Sequence, residues 1–294
     1  MIDPSLIEHL RGLEPHLRAH IRGQNHVLPR LALGFIRAAL RLPSPERPGY
    51  SCLLVGPTGT GKSESFRQAA EYVFGRNGLV IFDLSEYQDR SSIDKLLGED
   101  RRDPGLLGRA LGGFPRGAIL FDEIEKAHPL IMDVFLQMLW RGCVTVATGE
   151  TLRFGDHIIG FSSNIGAAES MRMRHLKFPS VEQATLRRLA RTLRPELLGR
   201  IQDKLIFAGL DSSVQREICA LEVDREIARL KREGFDVRLS REVAESILRN
   251  GFDREFGARP LHVAIGSELQ SKIAQRLLGH QGSTQSAWLG RERN

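Results

Sequence analysis

The stretch that decides the fold runs from residue 56 to residue 63 and reads Gly56-Pro57-Thr58-Gly59-Thr60-Gly61-Lys62-Ser63. It fits the pattern GxxxxGK(S/T) and lies between an apolar run, Ser51–Val55, and a helical pattern. Glycines in such a turn let backbone N–H groups converge on phosphate oxygens, and the following helix contributes the positive end of its dipole. Lys62 is expected to reach the β- and γ-phosphates, and the Ser63 hydroxyl to bind Mg²⁺. The motif predicts a nucleoside triphosphate site; the alternative is a glycine-rich turn that only resembles it.

Helical and strand patterns alternate on both sides of this loop. After it, apolar residues recur with helical spacing as far as Gly75, which predicts a helix with one face on a sheet. A second such helix is predicted from Pro129 to Gly142. This alternation predicts an α/β fold with a mostly parallel sheet covered on both faces. The predicted strands are Ser51–Val55, Leu79–Asp83, Ala118–Asp122, His157–Ser162 and Lys204–Ala208.

Two adjacent carboxylates, Asp122 and Glu123, end the third of these runs. Because successive strand side chains point to opposite faces, we expect the two acids to have different tasks. Asp122 is expected in the Mg²⁺ shell, and Glu123 is expected to polarise the water that attacks the γ-phosphate. With the phosphate loop, the pair predicts hydrolysis rather than storage of the nucleotide. The alternative is a solvated acidic end of a strand.

The pattern changes along the chain and predicts its organisation. Residues 42–49 contain three prolines and cannot form a regular element. We therefore expect residues 1–48 to be a helical approach segment and residues 49–208 to be a nucleotide-binding α/β domain. After Ala208 the pattern is helical, with Ser213 and Ser240 as expected caps, which predicts a small helical domain over residues 209–278. The polar end, residues 279–294, is expected to be a mobile tail.

Composition excludes several classes of protein. The 294 residues are 41% hydrophobic and 27% charged and contain no run near about 18 apolar residues, which predicts a soluble globular protein without a membrane partner. The net charge of +6 is too small to indicate a nucleic-acid partner by itself. Cys52, Cys143 and Cys219 form no CxxC pair and predict reduced, mostly buried thiols. Since Met1–Ser5 lacks the features of a secretory signal, we expect the protein to be cytoplasmic.

Together with the phosphate loop, a second motif resembles the Clp branch of the AAA+ ATPases; it reads Ile119-Leu120-Phe121-Asp122-Glu123-Ile124-Glu125-Lys126-Ala127-His128-Pro129. The likeness is greatest to the second ATPase module of the ClpA and ClpB unfoldases, and it extends from about residue 10 to about residue 275. The resemblance implies a P-loop NTPase fold of the AAA+ type, with a parallel five-stranded sheet flanked by helices and a small C-terminal helical lid. It also implies ATP and Mg²⁺ as cofactors and assembly into a ring of six subunits.

Further motifs follow in the order that the family has. The segment from Leu13 to Gln24 resembles the one that precedes the module, where Ile21 would face the adenine. Ile21 therefore joins the loop residues and Asp122 in the predicted nucleotide-binding set. Ser162-Ser163-Asn164-Ile165-Gly166 resembles sensor 1, so Asn164 would orient the attacking water; an amide can donate and accept without titrating. A helix or turn cap is the alternative for Asn164.

Two arginine motifs complete the resemblance. Arg194-Pro195-Glu196-Leu197-Leu198-Gly199-Arg200-Ile201 resembles the arginine-finger segment, in which Arg200, rather than Arg194, would act on the nucleotide of the next subunit. Gly199 and Gln202 depart from the asparagine and aspartate usual in the family, and a plain surface arginine is the alternative. Gly257-Ala258-Arg259-Pro260-Leu261 resembles sensor 2, so Arg259 would reach back to the γ-phosphate. The resemblance thus predicts a catalytic set of Glu123, Asn164, Arg200 and Arg259.

One feature of the family is missing from the sequence. Clp unfoldases grip polypeptides with an aromatic loop in the ring pore, whereas residues 96–107 are shorter here and contain no aromatic residue. Arg101 and Arg102 in this stretch could contact an acidic partner, although a solvated charge cluster is the commoner case. This departure leaves polypeptide threading open as a function.

Two functions follow from these motifs. The first is an ATP-hydrolysing ring, homo-oligomeric or shared with another chain, that remodels or disassembles a protein substrate, directly or through an adaptor. The alternative is a nucleotide-switched assembly module that acts on a protein or nucleic acid without threading. A DNA-directed function is weakly supported, because no helix-turn-helix or aromatic-basic platform is evident.

Overall fold

A computed structural model describes residues 3–173, 176–235, 237, 239–253 and 256–277. The chain divides into two units, each described by itself. The N-terminal unit contains the chain up to Gly209 apart from Thr58–Thr60, and the C-terminal unit contains Thr58–Thr60 and the chain from Leu210. The predicted mobile tail, residues 279–294, lies outside the described residues.

The described residues form helices and strands with the following bounds. The strands are β1 Tyr50–Val55, β2 Leu79–Asp83, β3 Gly117–Asp122, β4 Cys143–Thr145, β5 Thr151–Arg153, β6 His157–Ser163 and β7 Asp203–Ile206. The helices are α1 Pro4–Arg11, α2 Leu13–His20, α3 Leu28–Ala39, α4 Lys62–Phe74, α5 Ser92–Leu97, α6 Gly105–Leu111, α7 Pro129–Arg141, α8 Ala167–Arg172, α9 Phe178–Thr192, α10 Pro195–Arg200, α11 Ser212–Arg232, α12 Arg241–Asn250 and α13 Leu261–Leu277. Short 3₁₀ turns occur at Leu84–Glu86 and Ile124–Lys126.

A five-stranded parallel sheet forms the centre of the N-terminal unit, in the order β2-β3-β6-β1-β7. The predicted parallel sheet with flanking helices is confirmed. The order places β1, which precedes the glycine-rich loop, beside β6 and one strand away from β3, which carries the two acids. The described part of the C-terminal unit after Leu210 contains α11, α12 and α13 and is helical, as predicted.

Side chains of the sheet alternate between two cores, one on each face, because successive strand residues point in opposite directions. In β1, Val55 belongs to one core and Leu54 to the other. The Val55 core includes α7 and a set of packed phenylalanine rings. The Leu54 core includes α3 and α4, with Phe35 packed edge-on against Phe66. Both faces are therefore covered, as the near-continuous apolar strands indicate.

The two helices that begin nearest the site residues end at the glycines that the sequence indicated. α4 ends at Gly75, with φ +83°, and α7 ends at Gly142, with φ +59°. Glycine adopts these left-handed conformations without steric cost. At Gly142 there is also no room for a side chain, since a Cβ would lie 2.1 Å from the carbonyl oxygen of Glu46. The loop before β1 is therefore packed directly against the end of α7.

The structure corrects one predicted cap and adds one hairpin. α11 is capped by Asp211 rather than Ser213: the Asp211 carboxylate accepts from the N–H groups of Ser213 and Val214, at 2.9 Å each. The helix begins at Ser212, so Ser213 lies inside the first turn and Asp211 occupies the N-cap. Ser240 caps α12 as predicted, through a 3.3 Å bond from the Val243 N–H. The antiparallel pair β4 and β5 was not predicted.

Two further observations concern the predicted setting of the protein. Among the residues that the structure describes, no helix has the length and apolar character needed to cross a membrane. All three cysteines are free. Burial raises the pKa of the Cys52 thiol and that of Cys219, so these two thiols stay protonated near neutral pH and are poor nucleophiles.

Candidate nucleotide site

The carboxyl ends of three adjacent parallel strands bring most of the predicted site residues together. Where β1 pairs with β6, Val55 lies opposite Ser163, and where β3 pairs with β6, Phe121 lies opposite Phe161. The residues that follow these positions therefore emerge at one edge of the sheet. Open parallel sheets bind ligands beyond this edge. The residues concerned are Gly56, Asp122 and Asn164.

The loop after β1 holds a buried ammonium group at this edge. Gly61, with φ +92°, is the N-cap of α4, and Lys62 is its first residue. Lys62 is only 7% exposed, and its Nζ donates to the carbonyl oxygens of Gly56 at 2.7 Å and Pro57 at 2.9 Å. Gly56 and Gly59 also have positive φ, of +154° and +69°, which explains the glycines of the motif. The loop therefore presents positive charge where the strands end.

Two oxygen donors that suit a divalent cation lie side by side. The Ser63 hydroxyl lies 3.2 Å and 3.3 Å from the two carboxylate oxygens of Asp122. Mg²⁺ commonly takes one or two carboxylates and completes its octahedron with waters and substrate phosphates. This donor set fits Mg²⁺ bound together with a nucleotide. No cluster of three or more His, Cys, Asp or Glu side chains able to hold a metal occurs among the described residues.

Glu123 leaves the strand rather than continuing it. β3 ends at Asp122, and Glu123 has φ +59° and ψ +53°, a left-handed conformation that costs a non-glycine residue about 1–2 kcal/mol. Its N–H donates to the Ser162 Oγ at 3.1 Å, and the same hydroxyl is bonded to Asp122. We expected the two acids to differ because neighbouring side chains of a strand point to opposite faces, and this reason is wrong because Glu123 is not in the strand. The acids differ in their contacts because the backbone turns at Glu123.

Asn164 links the acid to the phosphate-loop lysine. Its Nδ2 donates to the Glu123 Oε1 at 3.2 Å, and its Oδ1 accepts from the Lys62 Nζ at 2.9 Å. The backbone N–H of Asn164 donates to the Glu125 Oε1 at 2.9 Å. A carboxylate on one side and an ammonium on the other fix which end of the amide faces which group. We call the joined residues the strand-end cluster; they are Lys62, Ser63, Asp122, Glu123, Ser162 and Asn164.

Ile21 lies next to the start of α4. It is 5% exposed, and its Cγ2 is 3.8 Å from the position that a Cβ would take at Gly61. The segment that carries Ile21 is anchored by Gln24, which is fully buried. The Gln24 amide donates to the carbonyl oxygen of Ala208 and accepts from its N–H, both at 3.0 Å. An apolar group is thus held beside the last glycine of the phosphate loop.

The two arginines around α10 have different partners. Arg194 forms an exposed ion pair with Asp133 at 2.5 Å. Arg200 donates to the carbonyl oxygen of Leu136 at 3.2 Å, and its guanidinium carbon lies 4.5 Å from the centroid of the Trp140 ring. The contacts described for Arg200 are thus with α7 and not with the strand-end cluster. Arg259 belongs to the C-terminal unit, where its N–H donates to the Phe256 carbonyl at 3.2 Å just before α13.

Three residues in these contacts were missed from sequence. Ser162 accepts from the Glu123 N–H, Glu125 accepts from the Asn164 N–H, and Trp140 lies beside Arg200. Ser162 could have been found, because it ends a strand predicted to lie near the acids. Glu125 carries no separate signal inside an acidic motif. For Trp140 the signal was a tryptophan near the end of the helix predicted from Pro129 to Gly142.

The fold and the strand-end cluster together define a P-loop NTPase. Residues 47–204 match the family described as AAA domain (Cdc48 subfamily), and residues 210–287 match the C-terminal, D2-small domain, of ClpB protein. The chain therefore belongs to the AAA+ family of ATPases and is homologous to the second modules of ClpB and ClpC. The resemblance to the Clp branch is confirmed.

Comparison with individual proteins gives the same family. Chaperone protein ClpB 2 of Nostoc sp. is 36% identical over 282 residues, which are 92% of this chain and 32% of that protein. The protein named negative regulator of genetic competence ClpC/MecB, from Bacillus subtilis, is 32% identical over 92% of this chain and 35% of its own length. Among solved structures, the S. cerevisiae Hsp104-ADP complex has a TM-score of 0.84 at 27% identity, covering 95% of this chain and 50% of that one. The chain thus spans about a third of the length of the curated relatives it matches.

Proposed function

We propose that this chain binds ATP at the strand-end cluster and hydrolyses it. The observation that carries the proposal is the single amide of Asn164, which joins the Glu123 carboxylate at 3.2 Å to the Lys62 ammonium at 2.9 Å. Lys62 and the loop N–H groups bind the phosphates, while Glu123 accepts a proton from the attacking water. Asn164 orients that water, since its amide donates and accepts without changing charge. Ile21 contacts the adenine.

The same cluster suits magnesium as the metal cofactor. Ser63 and Asp122 would hold the ion, and the Ser162 hydroxyl donates to Oδ1 of the Asp122 carboxylate, which fixes its position. When bound, Mg²⁺ neutralises charge on the β- and γ-phosphate oxygens.

Two arginines are assigned to nucleotide groups through the family resemblance. Arg200 acts on the nucleotide of a neighbouring subunit, and Arg259 senses the γ-phosphate from the C-terminal unit. Arg200 is favoured over Arg194 because the charge of Arg194 is already balanced by Asp133, at 2.5 Å. A site that borrows Arg200 from the next subunit requires head-to-tail assembly, and we take its closure into a ring of six subunits from the family.

The ring is proposed to remodel a protein partner in the cytoplasm, as part of a Clp-type assembly. The two matched family regions support this function. The alternative is a nucleotide-switched assembly module without threading, which is favoured by the absence of any aromatic residue from positions 96–107.

The ATPase proposal is tested with Glu123→Gln. We expect ATP to bind with unchanged affinity while kcat falls at least about a hundredfold, because the amide cannot accept the proton. The matched control is Glu217→Gln, which makes the same change on an exposed position of α11 and leaves kcat unchanged. Unaltered turnover in Glu123→Gln overturns the assignment of the acid.

The two partner functions are separated by what stimulates the ATPase. Turnover is measured with an unfolded model protein, with single- and double-stranded nucleic acid, and with neither. Stimulation by the protein supports remodelling, and stimulation by nucleic acid alone excludes it. Turnover that no polymer stimulates, together with nucleotide-dependent assembly in sedimentation, supports the switched module.

A further inference from the structure

An exposed tryptophan lies between two arginines at the end of α7. Trp140 is 53% exposed, although a large aromatic side chain is ordinarily buried to a greater extent. The guanidinium carbon of Arg200 lies over its ring at 4.5 Å from the centroid, and that of Arg47 lies over it at 4.8 Å. Of the aromatic side chains, an indole attracts a cation to its face most strongly. The exposed ring therefore holds two positive groups.

The contacts of Arg200 fix its charge without neutralising it. The Leu136 carbonyl and the Trp140 ring are both neutral, and in the described part of the chain no carboxylate is ion-paired with Arg200 or Arg47. Arg194 shows the opposite arrangement, with Asp133 as a partner. A carboxylate would occupy the in-plane N–H donors of a guanidinium, whereas a stacked ring leaves those donors available for phosphate oxygens.

The loop before β1 is packed closely against the end of α7. Gly142, two residues after Trp140, is packed so closely against Glu46 that a Cβ there would lie 2.1 Å from the Glu46 carbonyl oxygen. Arg47 follows Glu46 directly, so a tightly packed loop delivers the second guanidinium to the indole.

We propose that Trp140 is the positioning residue for the arginine that acts on the neighbouring subunit's nucleotide. The indole face holds the Arg200 guanidinium in one place and leaves the N–H donors that do not bond to Leu136 for the phosphates. Trp140 contacts no reacting group and acts only through Arg200. This inference rests on the proposed function, which assigns that task to Arg200.

Mixed rings test the proposal with a readout that a merely structural tryptophan does not give. Trp140→Ala alone is expected to lower kcat about tenfold, with unchanged ATP affinity, because the arginine is no longer held. In an equal mixture with Lys62→Ala subunits, each Trp140→Ala subunit keeps an intact phosphate loop. About half of these intact sites then face a Lys62→Ala neighbour, which has a normal Trp140 and Arg200. We therefore expect turnover per Trp140→Ala site to rise about fivefold on mixing.

A parallel mixture separates this inference from the proposed function. Arg200→Ala mixed with Lys62→Ala is expected to regain activity for the same reason. If that mixture recovers and the Trp140→Ala mixture does not, Trp140 acts on its own site or its own fold, and only the positioning proposal is overturned. If neither recovers, Arg200 does not act in trans, and both proposals are overturned.

Conservative variants show whether the ring face is what matters. Trp140→Phe keeps an aromatic face and is expected to retain most of the wild-type kcat, whereas Trp140→Leu keeps apolar bulk and is expected to behave like Trp140→Ala. If Trp140→Ala fails to fold, the Phe and Leu variants carry the same comparison. The double variant Trp140→Ala, Arg200→Ala is expected to match Arg200→Ala alone. A further loss of tenfold in the double variant contradicts action through Arg200.

Discussion

Two charged regions of the N-terminal unit are organised in opposite ways. In the strand-end cluster, positive and negative groups are linked within one chain: Lys62 to Asn164, and Asn164 to Glu123. Around Trp140, two guanidinium groups share one ring, and neither is ion-paired with a carboxylate among the described residues. The first region combines charges of both signs within one chain, which suits a site that binds a nucleotide together with a cation. The second has an excess of positive charge that an anion from outside the chain would balance.

The largest expected effect is on kcat, and it comes from a substitution in the region around Trp140. Arg200→Ala should lower kcat about a thousandfold, the lower end for an arginine finger, while ATP binding stays unchanged. Single-turnover hydrolysis and equilibrium nucleotide binding measure the two quantities separately. Arg200→Lys should recover little, because an ammonium lacks the planar fork that stacks and binds two oxygens. A large loss of binding in Arg200→Ala would place this arginine in its own chain's site.

Lys62→Ala, in the strand-end cluster, is expected to weaken ATP binding, which Arg200→Ala leaves unchanged. It removes the ammonium that lies at 2.7 Å and 2.9 Å from the loop carbonyls and at 2.9 Å from the Asn164 amide. ATP affinity should fall about a hundredfold, because a charged donor to phosphate is lost. Fluorescent-nucleotide titration measures it, with exposed Lys177→Ala as the control. Undiminished affinity would mean that the loop backbone alone binds the phosphates.

Ser162→Ala tests how far the strand-end cluster depends on a member to which the motifs assign no role. The hydroxyl accepts the Glu123 N–H at 3.1 Å and is bonded to Asp122, so its loss frees a strained turn and one side of the carboxylate. We expect kcat to fall about tenfold and the Mg²⁺ concentration for half-maximal activity to rise. Ser51→Ala, which removes a buried hydroxyl that accepts from the Gln202 N–H at 3.2 Å near the start of β1, is the comparison for lost hydrogen bonding in the sheet away from the site. Equal effects on kcat would show that the cause is strand stability.

The smallest expected effect belongs to Arg194. Its ion pair with Asp133 is exposed on both sides, and such pairs are worth about 0–1 kcal/mol. Arg194→Ala should therefore change kcat less than about twofold, and Asp133→Asn should do the same. A loss for Arg194→Ala comparable with that for Arg200→Ala would reverse the choice between the two arginines.

The fold and the strand-end cluster were largely predictable because their signals are local. A glycine-rich loop between a strand and a helix, and acids at the end of a buried strand, specify positions that a parallel sheet then brings to one edge. Even so, the left-handed turn at Glu123 could not be predicted, since it depends on a hydroxyl supplied by β6. The predicted cap residue of α11 was wrong for a simpler reason: Asp211 and Ser213 are both residue types that cap helices well, and they lie two positions apart.

The surface around Trp140 was beyond prediction for a different reason. Its three side chains come from the loop before β1, the end of α7 and the end of α10, and no spacing rule relates such distant positions. The sequence resemblance indicated Arg200 alone and gave no account of what holds it. Contacts between elements, rather than patterns within one, carry this part of the site.

The buried amide of Gln24 has a consequence for how the molecule unfolds. The Gln24 side chain bonds to both the N–H and the carbonyl oxygen of Ala208, at 3.0 Å each. It thus makes the two hydrogen bonds that a residue of a neighbouring strand would make. The helices α2 and α3, which flank Ile21, share their apolar core with β1 and α4. Detaching them would leave backbone groups at the end of β7 without partners and expose that core, so they cannot open independently as a loose arm. We therefore expect residues 13–39 to unfold together with the sheet, so that truncation there would damage the nucleotide-binding edge itself.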